Sequence, residues 1–214
     1  MSLGQAAGLL FAVDRKLSII YNIIAMLKVG IIGPTNIPKL SKLTKKPAGF
    51  YLQKAKEIGK ILAEIESELW VNSDKGMAVN IASAYKKNGG KKLVILYPAK
   101  GEPWPNRHAK PYIKYADELR KEPNWFWTNY NVVALPDVCI CVGLSAGTLS
   151  ELAYIKWNYQ LRRGKLKKLI AIKELLRDKQ LPPEIENDIK KILAYVNTVR
   201  DLKKFLKETL PCLF

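Results

Sequence analysis

Short apolar runs, each stopped by a glycine or a polar turn, alternate with longer amphipathic segments through most of this chain. Leu27–Ile32 ends at Gly33-Pro34, Trp70-Val71 at Asn72-Ser73-Asp74-Lys75-Gly76, Leu93–Tyr97 at Pro98, and Val138–Val142 at Gly143. Leu169–Ile172 is a fifth such run, and Tyr195–Val199 is predicted as the last strand. Continuous apolar runs of this length suit strands buried on both faces. Between the first two, Tyr51, Ala55, Ile58, Leu62, Ile65 and Leu69 recur at alternating steps of four and three, the apolar stripe of one helix. Met77–Asn88, closed by Gly89-Gly90, is predicted helical, as are residues 111–121 and a segment from near Thr148 to Arg162-Arg163-Gly164. Pro182-Pro183 opens another helix and Asp201–Glu208 forms the last. Trp125–Leu135 fits either a strand, through Val132-Val133, or a short helix. Strands alternating with helices predict an α/β domain with a mostly parallel sheet, spanning residues 26–214.

Residues 1–25 stand apart. Their apolar pieces, Ala6–Val13 and Ile19–Ala25, flank Asp14-Arg15-Lys16. Each piece is too short to span a bilayer, and the charge lies inside the apolar stretch rather than ahead of it, unlike a signal peptide. The segment reads as an extension: a leader, a tag or a dimer arm.

Three cysteines do not make a disulfide framework, and a reducing, cytoplasmic setting is expected. Cys139 and Cys141 share one strand face and read as small buried hydrophobes. His108 is the only histidine, which excludes a His-based triad or a multi-His metal site, and no metal is expected. The formal net charge is +17, from 36 Lys+Arg against 19 Asp+Glu. The surplus is spread along the chain, without the block of like charge that marks a nucleic-acid arm. A polyanionic partner and a solvated lysine surface both fit it. Trp104, Trp125 and Trp127 with Arg107, Lys110 and Lys114 could stack the bases of a single strand, or pack the interior.

In an open parallel sheet, ligands bind beyond the carboxyl ends of the strands. Three turns there have suitable chemistry: Gly33-Pro34-Thr35-Asn36, Ser73-Asp74-Lys75-Gly76-Met77 and Gly143-Leu144-Ser145-Ala146-Gly147-Thr148. In the third, glycines permit close backbone approach, and the following helix turns free N–H groups and a positive dipole end toward an anion. Ser145 and Thr148 could add hydroxyl hydrogen bonds. The competing structural reading makes Thr148-x-x-Glu151 a capping box, each side chain serving the helix start.

The stretch Gly143-Leu144-Ser145-Ala146-Gly147-Thr148-Leu149-Ser150-Glu151 resembles the Pro-Gly-Gly-x-Gly-Thr-x-x-Glu signature of the lysine-decarboxylase-like proteins. That group includes the Lonely-guy phosphoribohydrolases, the molybdenum-cofactor carrier proteins and, more distantly, the Smf/DprA proteins. Lys28–Gly33, Asp74–Ala84 before Gly89-Gly90, and Asp137 fall where the family has counterparts. The resemblance implies a Rossmann-like three-layer sandwich and a homodimer. It also implies a nucleotide phosphate held at the Gly143–Glu151 turn, with Gly33, Pro34, Thr35, Asp74, Gly76 and Met77 flanking it. Two departures stand out. Leu144 and Ser145 replace family glycines, and the Arg-Lys pair that hydrolase members place ahead of the fourth strand is Thr128-Asn129. Glu151, the one candidate catalytic group, thus lacks its partner. The resemblance then implies binding of a nucleoside monophosphate or a molybdopterin-type ligand without efficient hydrolysis, Thr128 and Asn129 reaching the sugar or base. Phosphoribohydrolase action and single-stranded nucleic-acid binding are the alternatives.

Overall fold

The computed structural model describes residues 26–99 and 110–209. Seven strands build one sheet: β1 (Lys28–Ile32), β2 (Glu68–Asn72), β3 (Lys92–Pro98), β4 (Glu118–Glu122), β5 (Val138–Cys141), β6 (Lys168–Ile172) and β7 (Leu193–Val196). All pairings are parallel, in the order β4-β3-β2-β1-β5-β6-β7. The chain winds outward from β1 to β4, returns to the centre at β5, and winds outward the other way. The strand order therefore reverses between β1 and β5.

Helices α1 (Ile37–Thr44), α2 (Ala48–Glu64), α3 (Met77–Lys87), α4 (Lys110–Ile113), α5 (Trp125–Ala134), α6 (Ala146–Gln160), α7 (Pro183–Ile189) and α8 (Val199–Thr209) complete the described elements. Alternate strand residues feed two apolar layers, as a pleated strand buried on both sides requires. Val29, Ile31, Leu69, Val71, Ile140 and Val142 pack with α1, α2, α3 and α8. Ile32, Trp70, Cys139, Cys141 and Ala171 pack with α5, α6 and α7. The result is the expected Rossmann-like three-layer sandwich.

Several sequence expectations shift. Residues 111–121 are not one helix: α4 ends at Ile113, and Glu118–Glu122 is the edge strand β4. Its sequence, ELRKE, is polar because an edge strand is half solvated, and Leu119 is 46% exposed. Leu69 belongs to β2, since the α2 stripe stops at Ile65 on the helix C-cap. The last strand begins at Leu193 and ends at Val196, where α8 takes over at Val199. The helix α1 had no expectation behind it; Asn36 caps it by accepting a hydrogen bond from Lys39 N at 2.9 Å. Trp125–Leu135 resolves as helix, capped by the Asn124 side chain.

Candidate functional site

The topological reversal fixes where a site can form. β1 and β5 pair through Ile32 opposite Cys141, so the turns beginning at Gly33 and Gly143 leave the sheet side by side. β2 ends beside them at Asn72. These turns open into a cleft of about 1240 Å3, lined by Gly33, Pro34 and Thr35 from the first turn, Asn72 and Asp74 from the second, Asn129 from α5, and Ser145, Ala146, Gly147, Thr148 and Glu151 from the third turn and α6. Lys39, Lys75 and Arg177 bring positive charge to it, and Leu40, Leu43 and Leu144 give it an apolar portion.

The start of α6 is built differently from the sequence expectation. Ser145, not Thr148, is the N-cap: its hydroxyl accepts from Thr148 N at 3.2 Å and lies 3.0 Å from the Thr148 hydroxyl. Thr148 is therefore the third helical residue, and Glu151 has no capping role. The capping-box reading is overturned because the helix begins one turn earlier. Ala146 and Gly147 are exposed at the cleft, and their backbone N–H groups are among the donors that a helix start leaves without intrahelical partners.

Four expected site residues stand behind the lining. Gly76 has φ +91°, and its backbone touches the first turn so closely that a Cβ would sit 2.3 Å from Pro34 O. Met77 is buried and donates its N–H to Pro34 O at 3.0 Å, which ties the two turns together. Gly143, at φ +132°, lets β5 turn past Pro34. Thr128 is fully buried on the inner side of α5, and its hydroxyl donates to Trp125 O at 2.9 Å. It does not line the cleft, so of the Thr128-Asn129 pair only Asn129 reaches the site.

At the base of the cleft is a cluster that the sequence reading missed. Asn72, the last residue of β2, donates through Nδ2 to Asn129 Oδ1 at 2.9 Å and to Glu151 Oε1 at 3.1 Å. Glu151 is 6% exposed. Burial drives its carboxyl well above the ordinary carboxylate range, the Asn72 hydrogen bond opposes that rise, and the nearby Asp74 charge adds to it. Three buried polar atoms here have no partner among the described residues: Asn72 Oδ1, Ser73 Oγ and Trp125 Nε1. Unpartnered buried groups are uncommon in folded proteins. All three belong to residues that line this one cleft. The available signal for Asn72 was a polar residue directly after the apolar run Leu69-Trp70-Val71; Arg177 follows β6 at the same sheet edge. Lys39 came with the unforeseen helix α1.

Other candidates separate from the site. Cys139 and Cys141 are buried under α6, and burial pushes the Cys141 thiol up to about 12. Among the described residues, no three of His, Cys, Asp and Glu converge on a metal position, and no helix is long and apolar enough to cross a membrane. Trp104, Arg107, His108 and the extension 1–25 lie outside the described residues. So does the side chain of Lys110.

No family model and no curated protein sequence matches the chain. Solved structures do match it in fold. The molybdenum cofactor binding protein of the phototrophic bacterium Rippkaea orientalis is 19% identical, with a TM-score of 0.63 over 87% of this chain and 99% of that one. The molybdenum cofactor carrier protein of Chlamydomonas reinhardtii is 16% identical, with a TM-score of 0.61 over the same shares. DNA processing protein A of Helicobacter pylori, a single-stranded DNA binding protein, is 17% identical, with a TM-score of 0.53 over 85% of this chain and 80% of that one. The chain thus has the fold these carriers and DNA-processing proteins share.

Proposed function

We propose that this chain is a binding protein, of the carrier-like branch of the lysine-decarboxylase-like group, for a phosphorylated ligand that bears a ring. The phosphate rests on the N–H groups of Ala146 and Gly147 at the start of α6, and the ring extends over Asn72, Asn129 and Glu151. One observation carries this reading: the open helix start faces a cleft whose base holds Asn72 Oδ1, Ser73 Oγ and Trp125 Nε1 buried and unpartnered. Helix-start N–H groups with the dipole behind them favour an anion, and the unpartnered atoms favour a polar ring beside it. Lys39, Lys75 and Arg177 raise the local anion concentration.

A molybdopterin-type ligand fits the same residues: the α6 start would take its phosphate, and the three unpartnered atoms would meet its heterocycle. The metal chemistry belongs to that cargo. Hydrolysis is not part of the reading, because Thr128 occupies the place of the hydrolase arginine with its hydroxyl committed to Trp125 O. The test is a thermal-shift panel of nucleoside monophosphates, dinucleotides and molybdopterin. A ligand present at about 100 times its Kd stabilises by about 2.7 kcal/mol, which raises the Tm by roughly 5–10 °C for a domain of this size. No shift with any phosphate-bearing ligand sinks the reading.

Single-stranded nucleic acid is the second reading, favoured by the exposed rings of Phe126 and Trp127 next to the cleft residue Trp125.

The α2 stripe faces the chain's own sheet, where Tyr51, Ala55, Ile58 and Leu62 are fully buried, so it offers no surface to a second copy. We assign the homodimer to the exposed apolar side chains of α5 and of the C-terminal end of α6, where Phe126 is 72%, Trp157 54% and the C-cap Leu161 62% exposed. Light scattering is expected to give a dimer for the parent chain and a monomer for Trp157→Glu. A parent monomer refutes the assignment.

A further inference from the structure

Among the described residues, the Glu151 carboxyl has no cation to pair with. Asn72 and Asp74 approach it from β2 and its turn, and the thiols of Cys139 and Cys141 from β5. From α5 come only neutral side chains, Asn129 among them. On α7, Asp188 is held by Lys156 at 2.8 Å, Glu186 accepts from the Tyr195 hydroxyl, and Glu184 is exposed. Lys39, Lys75 and Arg177 line the same cleft, yet none forms an ion pair with Glu151 among the described residues. An almost fully buried carboxylate beside an acidic neighbour and no cation is costly, whereas the protonated acid can accept from Asn72 and still donate.

We propose that Glu151 is a specificity residue acting as a neutral hydrogen-bond donor to the ligand ring, so that the cleft selects rings presenting an acceptor atom at this point. The inference rests on the phosphate-binding reading and deepens it. Glu151 lies one turn beyond Gly147, about 6 Å along the helix axis. The phosphate seat and the ring-reading group are therefore set on one rigid element, at a spacing that a phosphate and its attached ring can bridge. Asn72 Nδ2 fixes Glu151 Oε1 as an acceptor, which leaves the other oxygen to carry the proton toward the cleft. Desolvation supports this, since it favours the uncharged acid.

The experiment compares guanosine 5'-monophosphate with ribose 5-phosphate by calorimetric titration between pH 5.5 and 9. Their affinity ratio isolates the ring, because the phosphate ionisation near pH 6 is common to both. The ratio is expected to exceed tenfold at low pH and to fall as Glu151 ionises. Glu151→Gln keeps a neutral donor, so it should keep the ratio and lose its pH dependence. Glu151→Ala should lower the ratio about tenfold and leave ribose 5-phosphate binding unchanged.

Stability gives a readout independent of ligand. A carboxyl whose folded pKa is raised binds more protons folded than unfolded, so its contribution declines as pH rises above the unfolded value near 4.3 and levels off beyond the folded one. Glu151→Gln should therefore gain melting temperature over the parent as pH rises through that window. Equal loss in Gln and Ala, or a parent ratio below tenfold at pH 5.5, overturns the inference. If ribose 5-phosphate itself does not bind, the failure is that of the phosphate seat instead.

Discussion

Gly147→Asp is expected to abolish phosphate binding while leaving the fold intact. A side chain at this position meets open space, with only the Ser145 hydroxyl at 3.8 Å from the added carbon. The new carboxylate sits in the first turn of α6, where it stabilises the helix by about 0.3–1 kcal/mol through the dipole. It also takes the N–H groups that the ligand phosphate would use. Two like charges about 4 Å apart repel by about 4 kcal/mol at an effective dielectric near 20. At least a hundredfold loss of affinity follows, since each tenfold corresponds to about 1.4 kcal/mol. Calorimetric titration and a melting curve on the same sample check both halves. Unchanged affinity would remove the phosphate from the α6 start, whatever else the cleft binds.

Gly76→Ala is the opposite case, a small change that should damage fold and site together. At φ +91° and ψ −140° the backbone is in a region that L side chains avoid, and the added carbon would lie 2.3 Å from Pro34 O and 2.5 Å from Thr35 Cα. The strain and the displacement of the first turn are expected to cost on the order of 3 kcal/mol, or roughly 6–12 °C in Tm. Because Met77 N bonds to Pro34 O, the shift moves the Gly33–Thr35 wall of the cleft as well. Weaker ligand binding, measured well below the lowered Tm, is the second expected result. A variant as stable as the parent would contradict the close approach of the two turns.

Most strands and their parallel direction were legible because β1, β3, β5 and β6 are buried on both faces, leaving apolar runs with clean ends. β4 was not, because an edge strand of mostly charged residues looks like the surface of a helix. At the site, the turns after β1, β2 and β5 could be placed from their glycines and from the rule that ligands gather at strand carboxyl ends. The helix start could not: Ser145-x-x-Thr148 and Thr148-x-x-Glu151 both suit a cap, and only the backbone decides which residue is extended. That choice of register frees Glu151. The Asn72–Asn129–Glu151 cluster joins positions 57 and 79 residues apart, a proximity that no local pattern encodes. Gly76 and Met77, expected to flank a ligand, stand behind the cleft lining instead and fasten two of its turns together.

The proposed phosphate seat at Ala146 and Gly147 consists of main-chain N–H groups, which every residue except proline supplies. Side chains around it can therefore drift freely provided the helix still starts there and its first turn carries no competing acid. Ser145 is a case in point: its hydroxyl caps the helix by accepting from Thr148 N, which leaves the Ala146 and Gly147 N–H groups of the proposed seat untouched. This chain is 16–19% identical to two molybdenum cofactor proteins and still matches their fold over 87% of its own length and 99% of theirs. The heritable unit is then a geometry rather than a motif. Relatives of such a protein are expected to be recognised by their folded shape long after their sequences have ceased to align.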